Sequence, residues 1–565
     1  MSYRRAERRP PFSATSLVGL GMRAWLAGRI RSLGNRPHWQ RNSAGIQLSQ
    51  LRQLLHTARN TVFGRNADFA RILELPNPEL LSAYRAAVPI ADWYAFREAI
   101  ARMREAAEPD VLWPGLVRDF AQTSGTTSGD KFIPVSAAML KSNFLASLDI
   151  FANLHRFGVS LPTLLGGRSL FLGGSTKLDT SPAGVRTGDL SGIITPLIRW
   201  PISTIYLPGA KVALLSHWPS KIQAMAERCI NEDVRMVSGM CSWGLVIFEK
   251  VLELARARGQ KADTILDVWP NLAVFVHGGV KYSPFDARIR NVFSGSPDGP
   301  GVDTRLELYP ASEGFIALQD TKDDPGLRLL TDIGNFIEFV PLEEIDSPTA
   351  RAFTCESVEK GQKYVVVMST CAGLWRYVLG DVVEFDTIPD KLPSAGGGGG
   401  DGPCRLRIVG RHRHFINAFG ENLIVEHIEN AAAEAAREAS LILGEFTAAP
   451  VYPGDNRRAG LEIAVEFASV PTADAARRFA SSFDQSLKRQ NADYTTKRTD
   501  NLGMDSPTVT PLPLGTFHRW LDSKGKLGGQ HKCPRCANHR EVIDAVVAVV
   551  AQSPPQPTSS IPQQV

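Results

Sequence analysis

Between residues 120 and 383, short β-branched or aromatic runs alternate with helical segments, and no other feature so narrows what this chain can fold into. The runs 272–277, 305–309, 336–341 and 364–369 have strand length and strand chemistry. The segments 136–154 and 221–228 instead repeat apolar residues at three and four spacing. Such alternation predicts α/β layers with at least one mixed or parallel sheet. Before it, up to about residue 113, Leu, Ala and Arg recur at helical spacing between proline breaks, a helical lead-in belonging to the same domain.

Two stretches punctuate the remainder of the chain. Residues 394–402 contain five consecutive glycines, which cannot hold a packed element and read as a flexible surface loop. A strand pattern resumes at 405–409, followed by a helix at 425–438, a strand near 461–467 and a helix near 474–489. The expected fold class is α/β, a large multi-layered N-terminal domain with mixed sheets plus a smaller α+β C-terminal domain. The expected limits are 1–113 for the lead-in, 114–410 for the rest of the N-terminal domain, 411–552 for the C-terminal domain and 553–565 for a disordered Pro, Gln and Ser tail.

Composition excludes several function classes. With 565 residues, 43% hydrophobic and 21% charged, the chain is globular and too long for a small binding module. A net charge of +5 is too small to mark the whole chain as a nucleic-acid or anionic-membrane binder, so any such role needs a local patch. The dense basic run is Arg4, Arg5, Arg8 and Arg9, ahead of a moderately apolar stretch. A twin-arginine export signal is one reading. Arg23, Arg29 and Arg31 interrupt that stretch, and Leu17, Leu20, Ala24, Ile30 and Leu33 recur at helical spacing, which fits an amphipathic surface helix better. Seven scattered cysteines do not make a secreted disulfide framework, and no apolar run reaches the ~20 residues of a membrane span. A soluble cytoplasmic protein is expected.

Three loops carry chemistry. Gln122-Thr-Ser-Gly-Thr-Thr-Ser-Gly-Asp-Lys131 joins glycines that admit an anion to the backbone, hydroxyl donors and the cation of Lys131. That is phosphate-cradling chemistry without Walker or dinucleotide spacing, and its bland alternative is a Ser/Gly surface loop. A second segment, 306–314, sets Tyr309, Ser312 and Glu313 directly after a strand, an aromatic able to stack on a base beside a carboxylate able to ligate magnesium. The alternative is a turn with a solvated Glu313. The third, 374–381, ends in Gly380 and Asp381, where an aspartate just past a glycine turn can accept from ribose hydroxyls or simply form the turn.

Together, segments 123–131, 309–314 and 376–381 resemble the three nucleotide-binding motifs of the Gretchen Hagen family of acyl acid amido synthetases, within the adenylate-forming superfamily. The likeness extends in order to 269–279, to the hinge-like 410–423 with Glu426 and Glu429, and to 530–535, so it spans most of residues 115–540. It implies an ATP- and Mg2+-dependent ligase with a mobile C-terminal domain. Such an enzyme adenylates a carboxylic acid and passes the acyl group to an amine, in this case an amino acid. It further implies that Ser124, Gly125, Thr126, Thr127 and Lys131 meet the phosphates, that Tyr309 flanks adenine with Ser312 beside it, and that Glu313 ligates magnesium. Asp381 would hold the ribose, Arg411 would lie near ribose and phosphate, and Lys532 would swing toward the reacting phosphate. Departures from the plant members are Val378 in place of a second Arg, Asn422 roughly in place of a hinge Lys, and the glycine-rich insertion before Pro403.

Two alternatives stay open: a thiol acceptor such as coenzyme A or a carrier protein, and a nucleotide-binding protein without turnover. No nucleic-acid partner is expected. The cluster His531, Cys533, Cys536 and His539 offers four zinc ligands in nine residues, a span too short to wrap an ion tetrahedrally, and reads as a plain loop presenting Lys532. His277, at a strand end beside Gly278 and Gly279, reads as a structural hydrogen-bonder; Phe144, Phe151 and His155 read equally as acyl-pocket lining or core stripe. Neither the acid nor the amine is legible.

Overall fold

The computed structural model describes residues 13–123, 131–173, 178–200, 202–213, 215, 218–279, 282, 285–393, 396–412, 415–419, 421, 423–454, 457–501, 503–523 and 533–551. The described residues up to 412 form one compact unit and those from 415 onward another.

The strands of the first unit are β1 (Asp119–Thr123), β2 (Lys131–Val135), β3 (Arg168–Phe171), β4 (Asp179–Thr180), β5 (Arg186–Gly188), β6 (Tyr206–Leu207), β7 (Val234–Ser238), β8 (Val274–Gly278), β9 (Thr304–Ala311), β10 (Gly314–Thr321), β11 (Asp324–Leu329), β12 (Phe336–Pro341), β13 (Tyr364–Ser369), β14 (Tyr377–Thr387) and β15 (Arg405–Arg411). Among the described residues, eleven make one sheet in the order β12-β13-β14-β15-β11-β10-β9-β8-β7-β3-β6, and β2-β1-β5-β4 make a smaller one. The large sheet is mixed. Its β6-to-β9 half is parallel, with the helices Cys241–Ala257 and Asp286–Ser294 as crossovers around β8. Its β9-to-β12 half is antiparallel.

Register shifts interrupt four of the antiparallel pairings, β9–β10, β10–β11, β13–β14 and β14–β15. Each such irregularity bends its strand, so this half of the sheet curls. Every residue of β12 and β13 is buried, which is why both read as nearly continuous apolar runs. The lead-in helices Arg36–Ala58, Asn77–Ala87 and Trp93–Glu105 bring Leu51, Leu54, Tyr84 and Phe96 into a core with Phe336, Phe339, Tyr364 and Trp375. A second core joins Ala146, Leu148 and Ile150 of the helix Ala137–Asn153 to Val274, Val276, Leu306 and Leu318. Fully burying one such aliphatic or aromatic side chain stabilises by about 1.5–3 kcal/mol. Ser136 caps the helix Ala137–Asn153, its hydroxyl accepting from the Met139 amide at 3.0 Å.

In the second unit, β16 (Phe415–Ile416) and β17 (Leu423–Ile424) pair as a ribbon, while β18 (Leu443–Val451), β19 (Gly460–Phe467) and β20 (Thr508–Leu512) form a sheet in that order. The helices Val425–Glu438 and Ala473–Gln490 complete an α+β unit. Its core includes Ala449, Ala464, Phe517, Cys533, Ile543 and Val546. No helix among the described residues is long and apolar enough to cross a membrane.

Two local expectations change. Gly380 and Asp381 do not form a turn; they lie inside β14, an eleven-residue strand that the Gly-Asp pair disguises. The glycine run is exposed but tethered, because Gly400 N donates to Asp390 Oδ1 at 2.9 Å and Gln40 Nε2 donates to Gly400 O at 2.9 Å. Four consecutive positive φ values, Gly396 to Gly399, explain why glycine fills this turn.

Candidate functional site

Tyr309 lies within β9 rather than after it, buried in the same core as Phe120 and Ala121 of β1 and Ile133 of β2. Its hydroxyl donates to Asp381 Oδ2 at 2.8 Å. Across the β14–β15 pairing, Asp381 stands opposite Arg411. Gly380 has φ +95°, and a Cβ there would sit 3.2 Å from His412 Nδ1, so the strand needs glycine just before its aspartate. The His412 amide donates to Gly380 O at 3.0 Å.

Ser312 and Glu313 form the tight turn between β9 and β10. Glu313 is buried rather than solvated. Gly314 follows with φ +150°, and a Cβ there would lie 2.8 Å from Asn335 Nδ2. Glu313 thus comes from the same hairpin as Tyr309. The phosphate-loop expectation falls on the β1–β2 hairpin. Thr123 and Lys131 are cross-strand partners at its end, while Ser124, Gly125, Thr126 and Thr127 lie outside the described residues, as does Lys532.

Arg376, first residue of the third segment, is part of the fold. It is buried, has φ +45°, and its Nε donates to Glu338 Oε2 of β12 at 2.9 Å while Nη1 donates to Val88 O at 2.9 Å. Arg85 Nε reaches the other Glu338 oxygen at 2.8 Å. The carboxylate inside an otherwise apolar strand is thereby paired by two guanidiniums.

Residues 305, 307 and 309 alternate with Leu306 and Leu308, a period of two that puts Arg305, Glu307 and Tyr309 on one face of β9. His277 of β8 pairs with Glu307. The expectation for His277 is corrected: neither ring nitrogen has a hydrogen-bond partner among the described residues. Its ring lies 4.8 Å from that of Tyr282, over which the Arg305 guanidinium sits at 4.1 Å. Burial, aided by the nearby Arg305 charge, lowers the imidazole pKa to about 3, so the ring is neutral. Burial also raises the Glu307 carboxyl, against the pull of Arg305. His277 lies at the carboxyl end of β8, beside Glu307 of β9, on the side of a parallel sheet where open α/β folds bind ligands. Phe144 is largely exposed, which removes it from any buried pocket.

In the second unit, Cys533 and Cys536 are buried, and burial pushes both thiols up to about 12. His531 is outside the described residues; His539 is half exposed beside Glu541. Among the described residues no cluster of three or more His, Cys, Asp or Glu is placed to hold a metal. The hinge-like segment holds one group that spacing did not reveal: Glu421 is buried and accepts from the amides of Ala418 and Phe419, each at 2.7 Å. Burial raises its carboxyl to about 6 despite those two donors.

Three domain families match the chain: the GH3 family N-terminal domain at residues 37–196, the GH3 family central domain at 328–395 and the GH3 family C-terminal domain at 426–541. Together they cover more than half of it. A probable indole-3-acetic acid-amido synthetase of Arabidopsis thaliana, GH3.1, is 21% identical over 89% of this chain and 91% of its own length. The jasmonoyl-L-amino acid synthetase JAR6 of Nicotiana attenuata is 23% identical over 80% of this chain and 85% of its own. Among solved structures, the GH3.15 acyl acid amido synthetase superposes with a TM-score of 0.53 at 16% identity, covering 90% of this chain and 94% of that one. A 2-hydroxyisobutyryl-CoA ligase, in complex with 2-HIB-AMP and CoA, gives 0.51 at 14%, with coverages of 92% and 94%. At these identities the structural likeness speaks for the fold.

Proposed function

The chain belongs to the GH3 family, and from that premise we propose that it is an ATP-dependent ligase joining a carboxylic acid to an amino acid. The observation that carries the reading is the Tyr309–Asp381 hydrogen bond, which unites two of the three nucleotide segments from strands 72 residues apart. In the first step a carboxylate oxygen attacks the α-phosphorus of ATP and the bond to pyrophosphate breaks. In the second, the amine nitrogen attacks the acyl carbon, the bond to AMP breaks, and the nitrogen gives up a proton.

Each residue has a part in this proposal. Tyr309 flanks adenine, with Ser312 in the adjoining turn, and Asp381 accepts from the ribose hydroxyls. Arg411, opposite Asp381, serves ribose and phosphate. The hydroxyl loop Ser124 to Thr127 and Lys131 hold the phosphates. Lys532 brings a second cation to the departing pyrophosphate. Glu313 fits a magnesium ligand because it is a hard oxygen donor on the Tyr309 hairpin. With no multi-residue metal cluster among the described residues, the ion's remaining ligands would be phosphate oxygens and water, the usual arrangement for magnesium at nucleotides. When bound, magnesium supplies charge stabilisation at the phosphates.

A panel of carboxylic acids, each assayed for ATP-dependent pyrophosphate release with amino acids, with coenzyme A and with neither, tests the proposal. AMP and pyrophosphate with amide product are expected in the amino-acid arm. Thioester formation without amide would move the chain to the thiol-acceptor class, and ADP with phosphate would overturn adenylation.

A further inference from the structure

The helix Ser16–Trp25 is built the wrong way round for a helix that serves only the core. Its inward side is small: Ser16 and Gly19 are buried, and a Cβ on Gly19 would lie 2.6 Å from Pro162 Cα. The turn before it is pinned by two hydroxyls, Ser13 Oγ and Thr15 Oγ1, which donate to Gly166 O at 2.5 and 2.9 Å. Met22 packs against the second core, but three large apolar side chains point outward instead. Leu17 is 61% exposed, Leu20 45% and Trp25 63%, and Trp25 meets Phe144, itself 53% exposed on the helix Ala137–Asn153, at 6.5 Å between ring centroids. A cluster of two aromatics and two leucines open to water is what binding surfaces show and ordinary soluble faces avoid.

Charge identifies the occupant. The first fifty residues carry nine arginines and one carboxylate, Glu7, a net +8 in a chain whose total is +5. Arg23 and Arg31 are exposed on or just after the helix, and Lys141 is exposed one turn before Phe144. Arg4, Arg5, Arg8 and Arg9 lie outside the described residues and precede Leu17 by 8 to 13 positions in the chain. Arg29 is taken up by Asp149 and Asp332, but Leu, Trp and Phe on one face with exposed Arg and Lys beside them, in a stretch of chain with a single acid, is the chemistry of a helix lying in the headgroup region of an anionic bilayer. A second copy of the chain would oppose two such basic segments. A nucleic acid would match the arginines and leave the apolar face without a partner.

We propose that the face formed by Leu17, Leu20, Trp25 and Phe144, with its flanking arginines, seats the protein on an anionic lipid surface. The local basic patch that the overall charge does not reveal is thereby given a partner, and the enzyme becomes peripheral to a membrane without spanning it.

The test is cosedimentation of the full chain with vesicles of phosphatidylcholine alone or mixed with phosphatidylserine. Binding to the mixed vesicles is expected, falling with added salt as exposed charges are screened. Leu20→Ser with Trp25→Ser should weaken it roughly tenfold or more, as removal of so much insertable apolar surface requires. Phe144→Ser, on a different helix, should weaken it independently, so a folding defect in one variant leaves the other to report. Replacing Arg4, Arg5, Arg8 and Arg9 with Gln should act on the mixed vesicles only. ATP-dependent turnover in solution and Tm should be unchanged in all three. The proposal is overturned by no binding to either vesicle, by equal binding to both, or by wild-type dimers that dissociate in the Trp25 variant, which would make the face a contact between copies.

Discussion

Tyr309 and Asp381 touch although three strands of the sheet lie between theirs. In the order β14-β15-β11-β10-β9, four inter-strand steps at about 4.8 Å would part them by about 19 Å in a flat sheet. The hydrogen bond is nevertheless 2.8 Å. The antiparallel half must therefore curl far enough to bring β9 and β14 together, and its register shifts supply the bending. Sheet curvature, rather than a shared loop, assembles the candidate nucleotide site.

The first expectation concerns that contact. Tyr309→Phe removes a hydrogen bond to a carboxylate, a loss of ~1.5–3 kcal/mol in positioning, and should weaken ATP binding by about tenfold or more. Asp381→Ala, losing the proposed ribose acceptor as well, should weaken it further. Calorimetric titration with ATP and thermal melting separate the readings: lower Tm with unchanged affinity would leave both residues as parts of the fold alone.

Arg376 is expected to behave differently from its neighbours in the third segment. Its partner Glu338 is buried and also paired to Arg85, so Glu338→Ala strands a guanidinium in the interior. Breaking a buried pair in this way typically costs ~3–5 kcal/mol. Urea unfolding should show the loss for Arg376→Met and Glu338→Ala alike. A weakened ATP affinity at unchanged stability would return Arg376 to the nucleotide.

Local pattern makes much of the fold legible. The runs at 336–341 and 364–369 match β12 and β13 because strands buried on both faces read as unbroken apolar stretches. The helix Val425–Glu438 is legible from its Glu- and Ala-rich stretch. β14 is not, since Gly380 at positive φ and a following Asp look locally like a turn; only pairing with β13 and β15 makes them strand. The meeting of Tyr309 with Asp381 is likewise tertiary, created by curvature that no window of sequence contains. His277 is visible as a residue, but its want of a hydrogen bond arises from Phe275 and Tyr282 packing around it.

His277 should make the first unit acid-sensitive. Its folded pKa, about 3, lies below the ordinary 6.5, so the unfolded chain binds one more proton as pH falls below 6.5. The stability present above 6.5 is lost progressively toward pH 3, at about 1.4 kcal/mol per pH unit. Urea unfolding at pH 7 and pH 5 should differ by about 2 kcal/mol more in the wild type than in His277→Phe. Equal slopes in the two proteins would mean that the imidazole stays solvated.

Lys532→Ala should separate the half-reactions. A cation delivered to the departing pyrophosphate is needed only in adenylation, and losing such a group costs ~3–4 kcal/mol by analogy with oxyanion donors, or roughly 10²–10³ in rate. Aminolysis of a synthetic acyl adenylate should persist. Wild-type rates in both steps would reduce Lys532 to a surface charge, worth about 1 kcal/mol or less.

Glu313→Gln is the sharpest test of the metal assignment, because the substitution keeps the shape of the β9–β10 turn and removes only the charge. The turn itself is constrained: Gly314 at φ +150° is held against Asn335, and the Glu313 side chain is buried. A structural carboxylate here would reveal itself in stability. A magnesium ligand would reveal itself in the metal dependence, since a neutral amide oxygen is a weaker donor to a hard dication than a carboxylate. Pyrophosphate release measured against magnesium concentration should therefore shift to higher magnesium in the variant, with a lower rate at saturation and a Tm close to wild type. The second step should be spared when a synthetic acyl adenylate is supplied, because no pyrophosphate then leaves. A large drop in Tm with an unchanged magnesium profile would assign Glu313 to the fold, and equal losses in both steps would place it at the acyl carbon instead of at the phosphates.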